Sequence, residues 1–301
     1  MALAEVADMT ARNATLVLVI ALILPVVAGC SKARKDSISA CNHGIGRLQA
    51  GEINEAQDAF EKAIRLYPRN QIAHFQLGTL LMLEKKDYAG ARREYTTAID
   101  LNPRDAEAVY MMGRLELQED NMDAALMRFQ EALRIDPAHA GSLHYSGVVM
   151  QKKGKLDEAD ELFRAAIAAN PRYARSFNSL GLMYYETGNY DQAIAIFKEG
   201  ARLSPDDADL HHNLGLAYLT VNEVDKAVDE LTASLELDPE NSTAAFNLAN
   251  GLIRQQKFKT ASFFLRRLIV TTNLDDPDLL EPAKLTYTSL QGAMAQGIGL
   301  Q

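Results

Sequence analysis

The side chains of this 301-residue sequence that could bind a metal or attack a substrate are few and scattered. Its two cysteines, Cys30 and Cys41, belong to no CxxC or Cys/His metal-binding spacing. The six histidines form no HExxH pattern, and the adjacent His211 and His212 would point about 100° apart on a helix. No phosphate-binding glycine loop and no Ser/His/Asp motif is present. The sequence therefore predicts that the protein is not an enzyme and has neither a metal site nor a cofactor.

The overall charge disfavours nucleic acid as a partner. The formal net charge is −9 at pH 7, and an acidic surface repels a phosphate backbone. Two cysteines are too few for a disulfide framework. With 48% hydrophobic and 24% charged residues, the composition is that of a folded soluble protein.

The residues before Cys30 contain the most specific local pattern. Residues 14–29 carry no charge, and this run of sixteen is short for a membrane span, which needs roughly 20 residues. The run ends in the sequence VAGC, residues 27–30, which resembles the lipobox of bacterial lipoproteins. The resemblance implies a signal peptide over residues 1–29, cleavage before Cys30, and attachment of a membrane lipid, including palmitate, at that cysteine.

Two features of this segment leave alternatives open. Translation can begin at Met1 or at Met9, and the later start removes two acidic residues from the signal. Three basic residues follow within 32–35, so an uncleaved anchor would place the remaining chain in the cytoplasm. In Gram-negative lipoproteins the residue after the cysteine directs sorting, and Ser31 at this position implies the outer membrane, facing the periplasm.

From residue 37 onward the sequence repeats with a period of 34 residues and one interval of 35. Seven alanines mark the period: Ala56, Ala91, Ala125, Ala159, Ala193, Ala227 and Ala261. Six prolines follow at the same step: Pro68, Pro103, Pro137, Pro171, Pro205 and Pro239. This pattern resembles the tetratricopeptide repeat, and the resemblance covers residues 37–273.

The residue types of the repeat have packing reasons. Glycine in the first helix and alanine in the second mark places where neighbouring helices leave no room for a larger side chain. A phenylalanine or tyrosine four residues after the alanine fills the space between the helices, and leucine replaces it in the last two units. Proline cannot continue a helix, so it ends each unit.

The resemblance implies an all-α fold, a right-handed α-α superhelix of about seven helix-turn-helix units. The expected units are 37–70, 71–105, 106–139, 140–173, 174–207, 208–241 and 242–273. Apolar residues at helical spacing predict a capping helix over 278–294, followed by a tail over 295–301. Residues 30–36 are predicted to form a short basic tether.

In this family the first helix of each unit presents its second, fifth, ninth and twelfth positions to a concave groove. The candidates for binding a peptide or partner there are Phe75, Tyr110, Arg114, His144, Asn178, His212, Asn213, Phe246, Asn247 and Asn250. Mixed apolar, aromatic and hydrogen-bonding side chains suit an extended peptide or a partner's helix. The alternative is that these side chains only pack against the neighbouring unit.

Asn213 and Asn247 occupy the sixth position of two successive units. In some tetratricopeptide proteins a ladder of such asparagines bonds the backbone of a bound peptide. Under this hypothesis, alanine at both positions should weaken partner capture and leave thermal unfolding nearly unchanged.

These features predict a membrane-tethered, non-enzymatic scaffold that binds a protein partner and has no small-molecule substrate. The sequence resembles lipoproteins of type IV and Flp pilus biogenesis, which help secretin channels assemble. It also resembles, more loosely, envelope adaptors of peptidoglycan hydrolases. Two further alternatives are a cytoplasm-facing anchored chaperone and a non-catalytic remnant of a repeat-containing glycosyltransferase.

Overall fold

The computed structural model describes residues 32–271 and 277–296 of the chain. The predicted signal peptide, Cys30, Ser31 and residues 297–301 of the predicted tail lie outside the described residues. Within the described ranges the chain forms fifteen α-helices and no strand, which confirms the predicted all-α repeat fold. No helix in these ranges is both long enough and apolar enough to cross a membrane.

Consecutive helices form the hairpins of the repeat, and they belong to two compact units. Unit 1 ends at Pro137 and contains α1 (32–49), α2 (Ile53–Leu66), α3 (Gln71–Leu83), α4 (Tyr88–Leu101), α5 (Ala106–Gln118) and α6 (Met122–Ile135). Unit 2 contains α7 (Ala140–Lys152), α8 (Leu156–Ala169), α9 (Ala174–Glu186), α10 (Tyr190–Leu203), α11 (Ala208–Thr220), α12 (Val224–Leu237), α13 (Ser242–Arg254), α14 (Phe258–Thr271) and α15 (Pro277–Ala295).

In six of the seven hairpins the core is one large side chain packed against a glycine, and in the seventh Ala249 replaces the glycine. In the first hairpin of unit 2, the ring of Phe163 is fully buried, and a Cβ atom on Gly147 would lie only 2.8 Å from it. The next hairpin but one contains Leu231 against Gly215, where a Cβ would lie 2.6 Å from the Leu231 Cγ. Glycine is therefore required at these positions by close approach of the helices, as the sequence predicted.

The turn inside every hairpin contains one residue with positive φ, between 54° and 78°. This left-handed residue ends the first helix and redirects the chain into the second. Three of the seven are glycine, which adopts this conformation without strain, and four are not. They are Gly51, Lys86, Asp120, Gly154, Gly188, Asn222 and Gln256.

The tether predicted over residues 30–36 overlaps the first helix of the described chain. Helix α1 begins at residue 32, so residues 32–36 form its first turn. The fully buried Ser37 fixes this helix, since its Oγ donates to the Ala63 carbonyl at 2.7 Å. Asn70 Nδ2 in turn donates to Ser37 Oγ at 2.8 Å. The first helix is thereby bonded to α2 and to the turn that follows α2.

Candidate partner-binding groove

The candidate residues of unit 2 lie on the first helices of successive hairpins, α9, α11 and α13. Asn213 Nδ2 donates to Asn178 Oδ1 at 2.9 Å, which joins α11 to α9. Asn247 Nδ2 lies 3.1 Å from His212 Nε2, which joins α13 to α11. In both bridges a sixth-position asparagine bonds the fifth-position residue of the preceding hairpin. We call these four residues the amide ladder.

The protonation state of His212 fits its place in the ladder. Burial lowers the pKa of this imidazole, and the nearby Asp209 carboxylate opposes the shift only in part. The ring is therefore neutral at neutral pH, and a neutral imidazole has one nitrogen that accepts a hydrogen bond. With Nε2 as that acceptor, the amide of Asn247 donates to it and is held in one orientation.

The ladder keeps unused hydrogen-bonding capacity. Each asparagine amide has two N–H donors and a carbonyl acceptor, and each bridge uses one N–H group of Asn213 or Asn247. Both side chains are half-buried, so their remaining polar atoms lie at the surface. The side chain of Asn250, also half-buried, makes no hydrogen bond to any residue that the structure describes. The row therefore offers oriented donors and acceptors to a bound chain.

A cavity of 320 Å³ lies beside the ladder, between α11 and α13. Its lining combines apolar and polar side chains: Leu216, Leu219, Thr220, Asn247, Asn250, Ile253 and Arg254. Arg254 Nη1 donates to the Leu219 carbonyl at 2.7 Å, which holds the guanidinium at the rim. A cavity of this size and lining fits one side chain of a partner.

Sequence reasoning missed two polar residues of this cavity, Thr220 and Arg254. Both occupy the thirteenth position of a first helix, whereas only the second, fifth, ninth and twelfth positions were expected to face the groove. The thirteenth position lies four residues after the ninth, so the two share a helix face. That spacing was the available signal.

In unit 1 the candidate side chains pack against aromatic rings. Tyr110 is 6% exposed, and its ring centroid lies 6.0 Å from that of Phe129. The guanidinium of Arg114 lies 6.0 Å from the Tyr110 ring centroid. Phe75 is half-buried and contacts Tyr95 at a centroid distance of 6.0 Å. Tyr110 is thus a packing residue, which is the alternative that the sequence left open.

Two candidates of unit 2 also have packing roles. His144 is 4% exposed, its ring centroid lies 5.6 Å from that of Phe163, and its Nδ1 lies 3.2 Å from Ser176 Oγ. Phe246 is half-buried and packs against the core of unit 2. The groove candidates that remain at the surface of unit 2 are therefore the ladder residues and Asn250.

The side chains that could have done chemistry are engaged elsewhere. Burial raises the pKa of the Cys41 thiol, which makes it a poor nucleophile. His211 bonds Glu230 at 2.7 Å, away from the ladder that contains His212, so the two histidines do not converge. Across residues 32–271 and 277–296, no group of three His, Cys, Asp or Glu side chains is placed to hold a metal ion.

The ladder changes the expected effect of replacing its asparagines. Asn247→Ala should lower the free energy of unfolding by about 1 kcal/mol, because it removes an inter-hairpin hydrogen bond. Asn250→Ala is the matched control, since this half-buried asparagine on the same helix has no such bond. Urea unfolding of both variants measures the difference. Equal stability losses would show that the bridge to His212 does not stabilise the protein.

Three family models match the sequence. The model of the cytochrome c-type biogenesis protein H TPR domain matches residues 95–210, which is less than half of the chain. Two tetratricopeptide repeat models match residues 41–92 and 208–241. The chain therefore contains tetratricopeptide repeats in both units. No curated protein matches the sequence.

Several solved structures share the fold. A chain of the APC/C hetero-tetramer Cut9–Hcn1 is 24% identical with a TM-score of 0.61, covering 72% of this chain and 43% of its own. PilF of Pseudomonas aeruginosa is 20% identical with a TM-score of 0.59, over 72% of this chain and 96% of its own. PilW, a type IV pilus biogenesis factor, is 17% identical with a TM-score of 0.59, over 69% and 96%. This chain thus spans less than half of the matched Cut9–Hcn1 chain, and these identities establish a common fold only.

Proposed function

We propose that this array of tetratricopeptide repeats is a non-enzymatic scaffold, tethered to a membrane of the cell envelope, that holds an extended segment of a protein partner in unit 2. The amide ladder is the observation that carries the proposal. Its asparagines are fixed by bridges between hairpins and still have unused donors and acceptors. An extended peptide offers one donor and one acceptor per residue, which is what such a row can bond.

The bridges also lower the cost of binding. A side chain that is already held in one orientation loses less conformational entropy when it bonds a partner. The cavity between α11 and α13 supplies the apolar contact that hydrogen bonds alone do not. The partner segment is therefore expected to place one side chain in this cavity while its backbone follows the ladder.

The membrane tether in this proposal is lipid on Cys30. Several acyl chains hold a protein stably at a membrane, whereas one chain does so only marginally. Under the sorting rule of Gram-negative lipoproteins, Ser31 supports our proposal that the protein is held at the outer membrane, facing the periplasm. Metabolic labelling with palmitate should mark the natural chain and not the Cys30→Ala variant. Equal labelling of the two would rule out this attachment point.

Within the envelope, assembly of a pilus or secretin-type complex is the first pathway we propose. PilW, a protein of similar fold, is named as a type IV pilus biogenesis factor. Assembly of c-type cytochromes is the second, because the family model that matches residues 95–210 is named for cytochrome c biogenesis. Identification of the bound partner decides between them.

A photocrosslinking residue at Leu216, in the wall of the cavity, tests the proposed groove. The matched control is the same residue at Met127, which is 69% exposed on a second helix. In native envelopes we expect one covalent adduct from position 216, mapped by mass spectrometry to one continuous partner segment, and none from 127. Adducts of equal yield from both positions, or none from 216, would overturn the proposal.

A further inference from the structure

Helix α14 differs in charge from every other second helix of a hairpin. Its sequence, FKTASFFLRRLIVT, contains three cations and no carboxylate. The six corresponding helices, α2, α4, α6, α8, α10 and α12, each contain aspartate or glutamate. In a chain of net charge −9, this helix is a local cationic element.

Four side chains of α14 form a continuous row on its outer face. Lys259, Phe263, Arg266 and Val270 follow one another at helical spacings of four, three and four residues, so they share a face. All four are exposed, Phe263 by 61% and Val270 by 77%. We call this row the cationic stripe. The same positions of the preceding second helix, α12, carry Asp225, Asp229, Thr232 and Glu236.

Neither cation of the stripe forms an ion pair within the described residues, in contrast to one cation at an equivalent position on α8. On α8, the residue at the position of Arg266 is Arg164, and its Nε bonds Asp160 Oδ2 at 2.7 Å. The residue that corresponds to Asp160 on α14 is Ser262, which has no charge. Lys259 and Arg266 form no ion pair with any residue in the part of the chain that the structure describes. Their charge is therefore available to an anionic surface.

We infer that the cationic stripe is a second membrane contact, which rests on a surface of anionic phospholipid headgroups. Cations beside exposed apolar side chains on one helix face are the arrangement by which helices bind such surfaces. The headgroups pair with Lys259 and Arg266, while Phe263 and Val270 enter the boundary of the acyl region. Because the net charge of the chain is negative, such a membrane favours contact through a local cationic element such as this stripe over contact through the acidic parts of the surface.

The shape of the stripe favours a lipid surface over a protein partner. A cavity is lined by residues of α12, α13 and α14, among them Phe264 and Arg267, and no residue of the stripe lines it. A stable protein interface buries on the order of 1,000 Å² or more, which four side chains on a single helix do not supply. A membrane contact can be weaker, because the lipid tether already holds the chain at the surface. The inference rests on the proposed function in this respect.

The test places an environment-sensitive dye on Thr260→Cys, next to the stripe, in the full chain reconstituted into vesicles. Thr96→Cys on α4, an exposed position in the register of Arg266, is the matched control, and labelling without either substitution gives the background. In vesicles containing phosphatidylglycerol we expect a blue shift of the dye at 260 and none at 96. In pure phosphatidylcholine vesicles we expect no shift at either position.

Substitutions then assign the shift to the stripe. Each basic residue near an anionic surface changes partitioning about fivefold, so Lys259→Gln with Arg266→Gln should weaken the contact about 25-fold. Arg164→Gln, the equivalent change at the cation paired on α8, should leave it unchanged. A dye at 260 that stays in water in anionic vesicles, or a shift that the double variant retains, would overturn the inference. So would a shift that requires added envelope protein, since it would indicate an acidic protein partner.

Flotation of the same vesicles separates this inference from the proposed tether. A chain that floats with the vesicles while its dye at 260 stays in water retains the tether and refutes the contact. A chain that does not float refutes the tether. In that case the emission of the dye at position 260 is measured with anionic vesicles in excess. Absence of a blue shift under these conditions would refute the contact as well.

Discussion

Phe163→Ala should lower the free energy of unfolding by about 3–5 kcal/mol, the loss expected for a buried aromatic side chain cut back to alanine. The Phe163 ring is fully buried between α7 and α8, and it occupies the space that Gly147 leaves open. Repeat hairpins are stabilised by their nearest neighbours, so the loss should also weaken the packing of α9 on this hairpin. Urea unfolding of the full chain measures it.

Two controls make this expectation specific. Phe163→Leu should cost less than alanine, about 1–2 kcal/mol, because Leu231 and Leu265 fill the same position in the last two hairpins. Phe263→Ala removes a ring of the same size that is 61% exposed, so its effect should stay within about 0.5 kcal/mol. If the buried and exposed substitutions had similar effects, the ring of Phe163 would not be a core element of the array.

The fold was predictable because the repeat occurs seven times. Gly147 and Phe163 are one of five glycine–aromatic pairs in the first five hairpins, and one such pair alone would have been weak evidence. The beginning of the array was less predictable, because the first helix has no earlier unit to set its register. Ser37 fixes α1 through hydrogen bonds to residues that are 26 and 33 positions away in the sequence. A local sequence pattern does not predict contacts between residues so far apart.

The candidate groove was only partly predictable. Position in the repeat assigned Asn213 and Asn247 to the same face of successive first helices, because helix geometry determines which positions share a face. It did not reveal that each amide bonds the preceding hairpin, since that depends on which residue stands at the fifth position there. At the fifth position of α7 this residue is His144. Its side chain is buried and lies within hydrogen-bonding distance of Ser176 Oγ, which is not a sixth-position residue. Whether two side chains pair across hairpins depends on the residues at both positions. The residue types found at one position of the repeat therefore do not predict it.

A second large effect is expected at a buried histidine of unit 1. His74 is 7% exposed, and both of its ring nitrogens face acceptors. Nδ1 lies 2.6 Å from Glu94 Oε2, and Nε2 lies 3.0 Å from the Pro68 carbonyl oxygen. Only a doubly protonated ring can donate to both. His211 has the same arrangement in unit 2, with Glu230 at 2.7 Å and the Pro205 carbonyl at 3.3 Å.

The pKa of His74 sets the direction of its pH dependence. Burial by itself lowers this pKa, but the Glu94 hydrogen bond, the Pro68 carbonyl and the charge of Glu94 outweigh burial and raise it. Between the unfolded pKa of about 6.5 and the raised folded value, the native state binds more protons than the unfolded state. The stabilisation by this pair is therefore complete below about pH 6.5 and is lost as the pH rises through the folded pKa.

Glu94→Gln should consequently destabilise the protein by about 2 kcal/mol at pH 6, because it removes a charged partner from a buried imidazolium. Above the folded pKa of His74 the loss should be much smaller, since the imidazole of the natural protein is then neutral and has no charge to be stabilised, and pH 9 serves for this comparison. Urea unfolding at both pH values measures the difference. Glu61→Gln breaks an exposed ion pair with Arg65 and should cost less than about 1 kcal/mol at either pH. A loss for Glu94→Gln that grows with pH would show that His74 is neutral in the folded protein, and the carboxylate would then serve only as a hydrogen-bond acceptor.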